Sequence, residues 1–170
     1  VEAVRPWDTL VQLESDRPVR PFHDVAGFVE PAKRIFDALD PELGGQFREM
    51  ADAGLLDLES RPGKAPGGYC TKLPWRGRPF IFMNAVGVPD DVNTLVHEAG
   101  HSFHDFAANR QPFIWLRGTG HEAAELASMS MELLAAPYLT TANGGFYSAR
   151  DAARARPEHL VPLTAQLLAA

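Results

Sequence analysis

Val96-His97-Glu98-Ala99-Gly100-His101-Ser102-Phe103-His104 restricts this chain more tightly than any other segment. It contains H-E-x-x-H, which on a helix pairs two metal-ligand histidines with a catalytic glutamate. Residues four apart share one helix face, about 6 Å from each other along the axis. His97 and His101 can therefore reach one ion. Glu98 is turned by roughly 100° from His97, so it reaches a metal-held water more easily than the metal. Two nitrogens on an ion and one carboxylate on its water are the parts of metal-assisted hydrolysis. The plainer reading is a helix with half-buried histidines and a surface glutamate.

The flanking residues predict that helix. Pro89-Asp90-Asp91 supplies a start, with an aspartate as N-cap and acidic charge at the positive end of the macrodipole. Val92, Leu95, Val96, Ala99, Phe103 and Phe106 form one apolar stripe, and the three histidines fall on the other side. His104 continues the histidine face but lies about 10 Å along the axis from His97, too far to share an ion. It is expected in the cleft or behind a ligand, with plain packing as the alternative.

A catalytic zinc site has three protein ligands and one open position. A metzincin would put its third histidine six residues after His101; that position is Ala107, with no glycine turn before it. A second helix is the better source. Thr119-Gly120-His121-Glu122 reads as a capping box, with Thr119 as N-cap and Glu122 reaching back. The run from Ala123 to Ala136 is rich in helix formers, and Pro137 ends it. Glu125, Ser128 and Glu132 share one face. With Glu122 taken by the cap, Glu125 is the candidate third ligand, and Glu132 a carboxylate that orients an imidazole N–H. A solvated acidic face is the alternative for both.

These residues resemble a known family. His97-Glu98-Ala99-Gly100-His101-Ser102-Phe103-His104 fits H-E-x-G-H-x-x-H, the signature of the thimet oligopeptidase and oligoendopeptidase F family of zinc metallopeptidases. Glu125-Leu126-Ala127-Ser128 fits that family's E-x-x-S segment, whose glutamate is the third zinc ligand. Gly67-Gly68-Tyr69-Cys70 and Pro79 to Asn84 are similar to its strand region, and the likeness runs from about Arg5-Pro6-Trp7-Asp8 to about Leu134. The resemblance implies a mostly helical α+β fold, a zincin-like core with a small sheet beside two zinc-ligand helices. It implies one Zn2+ per chain on His97, His101 and Glu125, Glu98 as general base, and short peptides as substrates. Family members are several-fold longer. A helical domain walls their cleft, and tyrosine and histidine donors for the oxyanion come from further towards the C-terminus. Residues 1–170 are accordingly expected to be a single domain, the catalytic core of a longer architecture, with a further C-terminal region or a second copy completing the site. A zinc-loaded but catalytically incomplete piece, acting as scaffold or partner-binding module, is the alternative.

The rest of the chain is expected to be scaffold. Residues 1–30 read as mostly loop with a turn or short strand near Phe22. Pro31 to Leu39 reads as a short helix with Pro31 at N1, and Asp40-Pro41 starts another that Gly54 closes. Leu55 to Leu58, Tyr69 to Thr71 and Phe80 to Asn84 read as strands around a breaker-rich loop, Ser60 to Gly68. If Phe82, Met83 and Asn84 lie on a free sheet edge, a peptide can add to it through its backbone; an ordinary packed sheet is the alternative. Phe113 to Leu116 is expected as a packed connection between the zinc helices, or as pocket lining. The segment from Ser148 reads as helical, interrupted at Pro157 and Pro162.

Composition excludes some classes. In 170 residues, 45% are apolar and 22% charged, ordinary for a globular chain able to bury a core. A net charge of −6 argues against nucleic acid as a partner. No run is apolar for long enough to span a membrane, and no signal peptide opens the chain. Cys70 is the one cysteine, so there is no internal disulfide; a cytoplasmic location and a buried inert thiol are expected.

Overall fold

The computed structural model describes residues 17–169. The likeness noted at Arg5 to Asp8 lies outside them. Helix α1 (Val25–Leu39) starts at Asp24, whose Oδ1 accepts the Gly27 N–H at 2.7 Å. It therefore begins well before Pro31, which was expected at N1 and instead lies buried inside the helix. The missing proline N–H would have bonded back into the first turn. Burial of Phe28, Ala32, Ile35 and Phe36 on one face outweighs that single lost bond. Helix α2 (Pro41–Asp52) follows as read: Asp40 Oδ1 accepts the Glu42 N–H at 2.7 Å, and Gly54 ends the turn at φ +66.

Strands β1 (Leu56–Glu59), β2 (Tyr69–Leu73) and β3 (Arg78–Ala85) form one sheet in the order β1-β3-β2. β2 and β3 are an antiparallel hairpin with Tyr69 opposite Phe82 and Leu73 opposite Arg78; β1 runs parallel to β3. Alternation along β3 buries Pro79, Ile81 and Met83 on the core side. Phe80, Phe82 and Asn84 face the other way, where Tyr69 stacks on Phe82 with ring centroids 4.9 Å apart.

Helix α3 (Pro89–Ala108) is the hub of the core. Its predicted apolar stripe, Val92, Leu95, Val96, Ala99, Phe103 and Phe106, is buried throughout. Phe103 meets Phe36 edge-on at 5.0 Å, which joins α3 to α1. The expected aspartate N-cap is corrected: Val88 precedes the helix, and Asp91, one turn inside, reaches back. Its Oδ2 accepts the N–H groups of Val86, Gly87 and Val88 at 2.9, 2.8 and 2.9 Å. Gly87 has φ +88, and a Cβ there would meet the Phe22 carbonyl oxygen at 2.8 Å.

Helix α4 (His121–Ala135) packs along α3, and a 3-10 turn, Ile114–Arg117, precedes it. Phe113, Ile114, Trp115 and Leu116, expected to be packed, are 68%, 57%, 86% and 61% exposed. The short link between the two helices runs over their surface, where Leu116 borders a groove with Phe103, His104 and Met131. Helix α5 (Ala149–Ala169) crosses Pro157 and Pro162 without the expected interruption. At Pro157 the carbonyl that loses its donor belongs to Ala153, and both residues are exposed, so water can take the donor's place. Among the described residues no helix is long and apolar enough to cross a membrane.

Candidate metal centre

α3 and α4 touch closely enough to share side chains across one ion, and Gly100 is the reason. A Cβ on Gly100 would lie 2.7 Å from Ser128 Cα and 3.1 Å from the Ala127 carbonyl oxygen. With only hydrogen there, the helices close up and Glu125 comes over the histidine pair. Glu125 Oε2 lies 3.2 Å from His97 Nε2, and Glu125 Oε1 lies 3.6 Å from His101 Nε2. The two imidazoles stand nearly perpendicular, 4.9 Å between centroids. One ligand atom from each of His97, His101 and Glu125 lies within 4.8 Å of the others. Ser128, fully buried, shares its one hydroxyl proton between the Glu125 carbonyl oxygen (2.9 Å) and Oε2 (3.1 Å), and so restrains the rotamer of that carboxylate.

Glu132, one further turn along α4, is buried and places Oε1 2.6 Å from His97 Nδ1. A carboxylate there requires a proton on Nδ1, which leaves the Nε2 lone pair facing His101 and Glu125. Burial pushes the His97 imidazole down, but the Glu132 hydrogen bond and the charges of Glu132, Glu98 and Glu125 outweigh it, and the net shift is upward. His101 goes the other way: burial, then the charge of His97, lowers it. The donor set is two nitrogens and one carboxylate with an outer carboxylate behind one ring. That set fits a zinc ion that keeps an open position.

Glu98 is buried, 8% exposed. Burial raises its carboxyl; the charge of His97 and a hydrogen bond from the Cys70 backbone N–H pull it partly back. Cys70 thus connects β2 to the motif glutamate, a role with no sequence signal. Its thiol lies 3.3 Å from Ser102 Oγ and burial pushes it up to about 12, which makes it inert.

A cleft of about 500 Å³ opens beside these groups, lined by Cys70, Thr71 and Lys72 of β2 and by His101, His104, His121 and Glu125. His104 belongs to it, with Nε2 2.9 Å from Thr119 Oγ1. Thr119 is therefore not the expected N-cap: Gly120 precedes α4, and no side chain caps it. The expected edge residues are corrected too. Phe82, Met83 and Asn84 belong to β3, the middle strand; the Met83 carbonyl accepts from Lys64 Nζ, and Asn84 Nδ2 donates to the Ala65 and Gly67 carbonyls. β3 pairs with β1 on one side and β2 on the other, so the strands with an unpaired side are β1 and β2, and β2 is the one that lines the cleft. His159 of α5 escaped the sequence reading altogether; its Nε2 lies 2.9 Å from Glu132 Oε2.

The sequence pattern of peptidase family M3 matches residues 31–156. The chain belongs to family M3. Among its relatives, the chromosomal oligoendopeptidase F of Lactococcus lactis subsp. cremoris is 31% identical over 51% of this chain and 14% of its own length. An oligoendopeptidase F homolog of Borreliella burgdorferi is 32% identical over 66% of this chain and 20% of its own. The solved structure of PZ peptidase A with an inhibitor superposes with a TM-score of 0.82 at 34% identity, covering 94% of this chain and 27% of that one. This M3 chain therefore spans a small part of the length of the relatives it matches, and that part contains the helix pair just described.

Proposed function

We propose that this chain is the zinc-binding core of an M3 oligopeptidase, a metalloendopeptidase that hydrolyses peptide bonds in short peptides. The observation that carries the reading is the convergence of His97, His101 and Glu125 beside a buried Glu98, in a cleft walled by a strand with a free side. Zinc held by those three side chains would polarise the scissile carbonyl and lower the pKa of a bound water to about 7. Glu98 takes the proton of the attacking water and hands it to the leaving nitrogen. Its raised carboxyl suits both halves of that transfer. Glu132 and Ser128 hold His97 and Glu125 in place. A peptide pairing with the free side of β2 would lie along the cleft, and backbone pairing accepts many sequences. A lone cysteine with no disulfide to preserve suits work in the cytoplasm.

The second reading is a zinc-loaded core that needs more of a longer protein, or a second copy, for turnover. One feature favours it. No tyrosine is among the described residues lining the cleft, whereas Tyr147 is buried with its hydroxyl 3.4 Å from the Pro89 carbonyl oxygen. A tyrosine donor for the oxyanion would then come from elsewhere. The test is cleavage of a mixed pool of short peptides, read by mass spectrometry, with zinc content measured on the same sample. The wild type should cleave and bind one zinc. Glu98→Gln should keep the zinc and lose about 10²–10⁴ in rate, and His97→Ala should lose both. Undiminished cleavage by Glu98→Gln would refute the base assignment. Zinc without cleavage in the wild type would favour the second reading.

A further inference from the structure

Glu132 has an imidazole nitrogen at each carboxylate oxygen, a hydrogen bond on one side and, on the other, a close contact whose N–H is not aimed at the oxygen. Its Oε1 lies 2.6 Å from His97 Nδ1 on α3, and its Oε2 lies 2.9 Å from His159 Nε2 on α5. The carboxylate is 8% exposed and the His159 side chain 18%, so water competes little for either contact. We infer that His159 is a positioning residue: by holding the second oxygen of Glu132 it keeps the first on His97, and so aims His97 Nε2 at the metal. This rests on the proposal that His97 is a metal ligand.

The physical argument concerns rotation. A carboxylate bound through one oxygen can swing about its last torsion, which is broad and soft. Bound through both oxygens to side chains on two different helices, it cannot turn without breaking a contact. The imidazole it holds inherits that restriction, and a fixed Nδ1–H leaves the opposite nitrogen as the ligand. Remove His159, and Oε2 loses the imidazole that sits 2.9 Å away and blocks its rotation. Glu132 then either turns away from His97 or takes up a proton, and both weaken its hold on the ring. The bridge also ties α5 to the metal helix, since Asn93, one turn before His97, and His159 line the same cavity of about 240 Å³.

The test uses the full chain and reads zinc affinity by competition with a chromogenic chelator. His159→Leu, similar in bulk but without a donor, should weaken zinc binding within the ~10–100-fold range typical of outer partners of a ligand. His159→Gln, which keeps an N–H of similar reach, should recover most of it. The visible spectrum of the cobalt-loaded protein should move in His159→Leu and return in His159→Gln. In a Glu132→Gln background His159→Leu should add no further loss, because its effect passes through that carboxylate. A control on the same helix, Val161→Ala, should change nothing. Wild-type affinity in His159→Leu, or losses that multiply between the two sites, would overturn the inference while leaving the metal site standing. Should His159→Leu fail to fold, His159→Ala makes the same comparison, and wild-type affinity there overturns it equally. No zinc binding by the wild type would defeat the metal reading itself and the inference with it.

Discussion

Two clusters of ionisable side chains in this protein do opposite things. At the end of the sheet, Lys64 is 1% exposed, and its Nζ reaches the Asp57 carbonyl oxygen and Oδ1 at 3.0 Å, the Glu59 carbonyl at 2.8 Å and the Met83 carbonyl at 2.5 Å. Arg61 forks onto Asp57 at 2.6 and 2.8 Å. That fork, aided by Lys64, holds the Asp57 carboxyl down at about 2. The cationic donors there meet acceptors, and the cluster pins the Ser60 to Gly68 loop across the bulge between β1 and β3. In the cleft Glu132 satisfies only the outer nitrogen of His97. Three donor atoms turn their lone pairs inward on one point, a carboxyl is pushed up by burial, and two neighbouring imidazoles are shifted in opposite directions. A cluster that stabilises a fold completes its own pairing. A cluster that binds leaves a place for something else.

The sharpest way to break this contrast is to delete one acid from each cluster. Glu125→Ala should weaken zinc binding by more than the ~10–100-fold of an outer partner, while Asp57→Ala should keep wild-type zinc content; equal losses by metal analysis would erase the distinction. Gly100→Ala comes next. The added methyl meets Ser128 Cα and the Ala127 carbonyl, so the helices must part. Overpacking should lower stability by about 1–3 kcal/mol and weaken zinc binding together, as denaturant titration and chelator competition would report. Lys64→Met separates the two properties. Three carbonyls lose a buried donor, so Tm should fall by about 3–10 °C at about 1–3 kcal/mol, with zinc affinity unchanged.

The smallest effect concerns acid. Asp57 is depressed from 3.8 to about 2, so the stability it contributes is complete above pH ~3.8. It is lost as pH falls through about 2. Asp57→Asn should flatten that part of the stability curve and leave the curve near neutrality with its wild-type slope.

Much of this was legible. The α3 stripe, the Asp40 cap, the Gly54 stop and the strand hairpin follow from periodicity and local hydrogen-bonding chemistry, which act over a few residues. Where local propensity and the fold disagree, tertiary contacts are the cause. Taken locally, Pro31 reads as a helix start and Pro157 and Pro162 as interruptions, because a proline is disfavoured inside a helix on its own, yet α1 keeps its turn because its face is buried. Thr119 looked like a cap until the fold gave its hydroxyl to His104. Strand order cannot be read from strand content, so the choice between a free edge and a packed strand for Phe82 to Asn84 stays open until the sheet puts β3 in the middle.

The sequence by itself determined that His97 and His101 share a helix face, that Glu98 is turned off it, and that Glu125, Ser128 and Glu132 share another. A 3.6-residue repeat makes those relations local and unavoidable. Packing alone decided that the two faces meet. Gly100 lets α4 come close enough for Glu125 to reach both imidazoles, β2 delivers a backbone N–H to Glu98, and α5 brings His159 to the far oxygen of Glu132. Those contacts join residues far apart in the chain, and no local propensity encodes them.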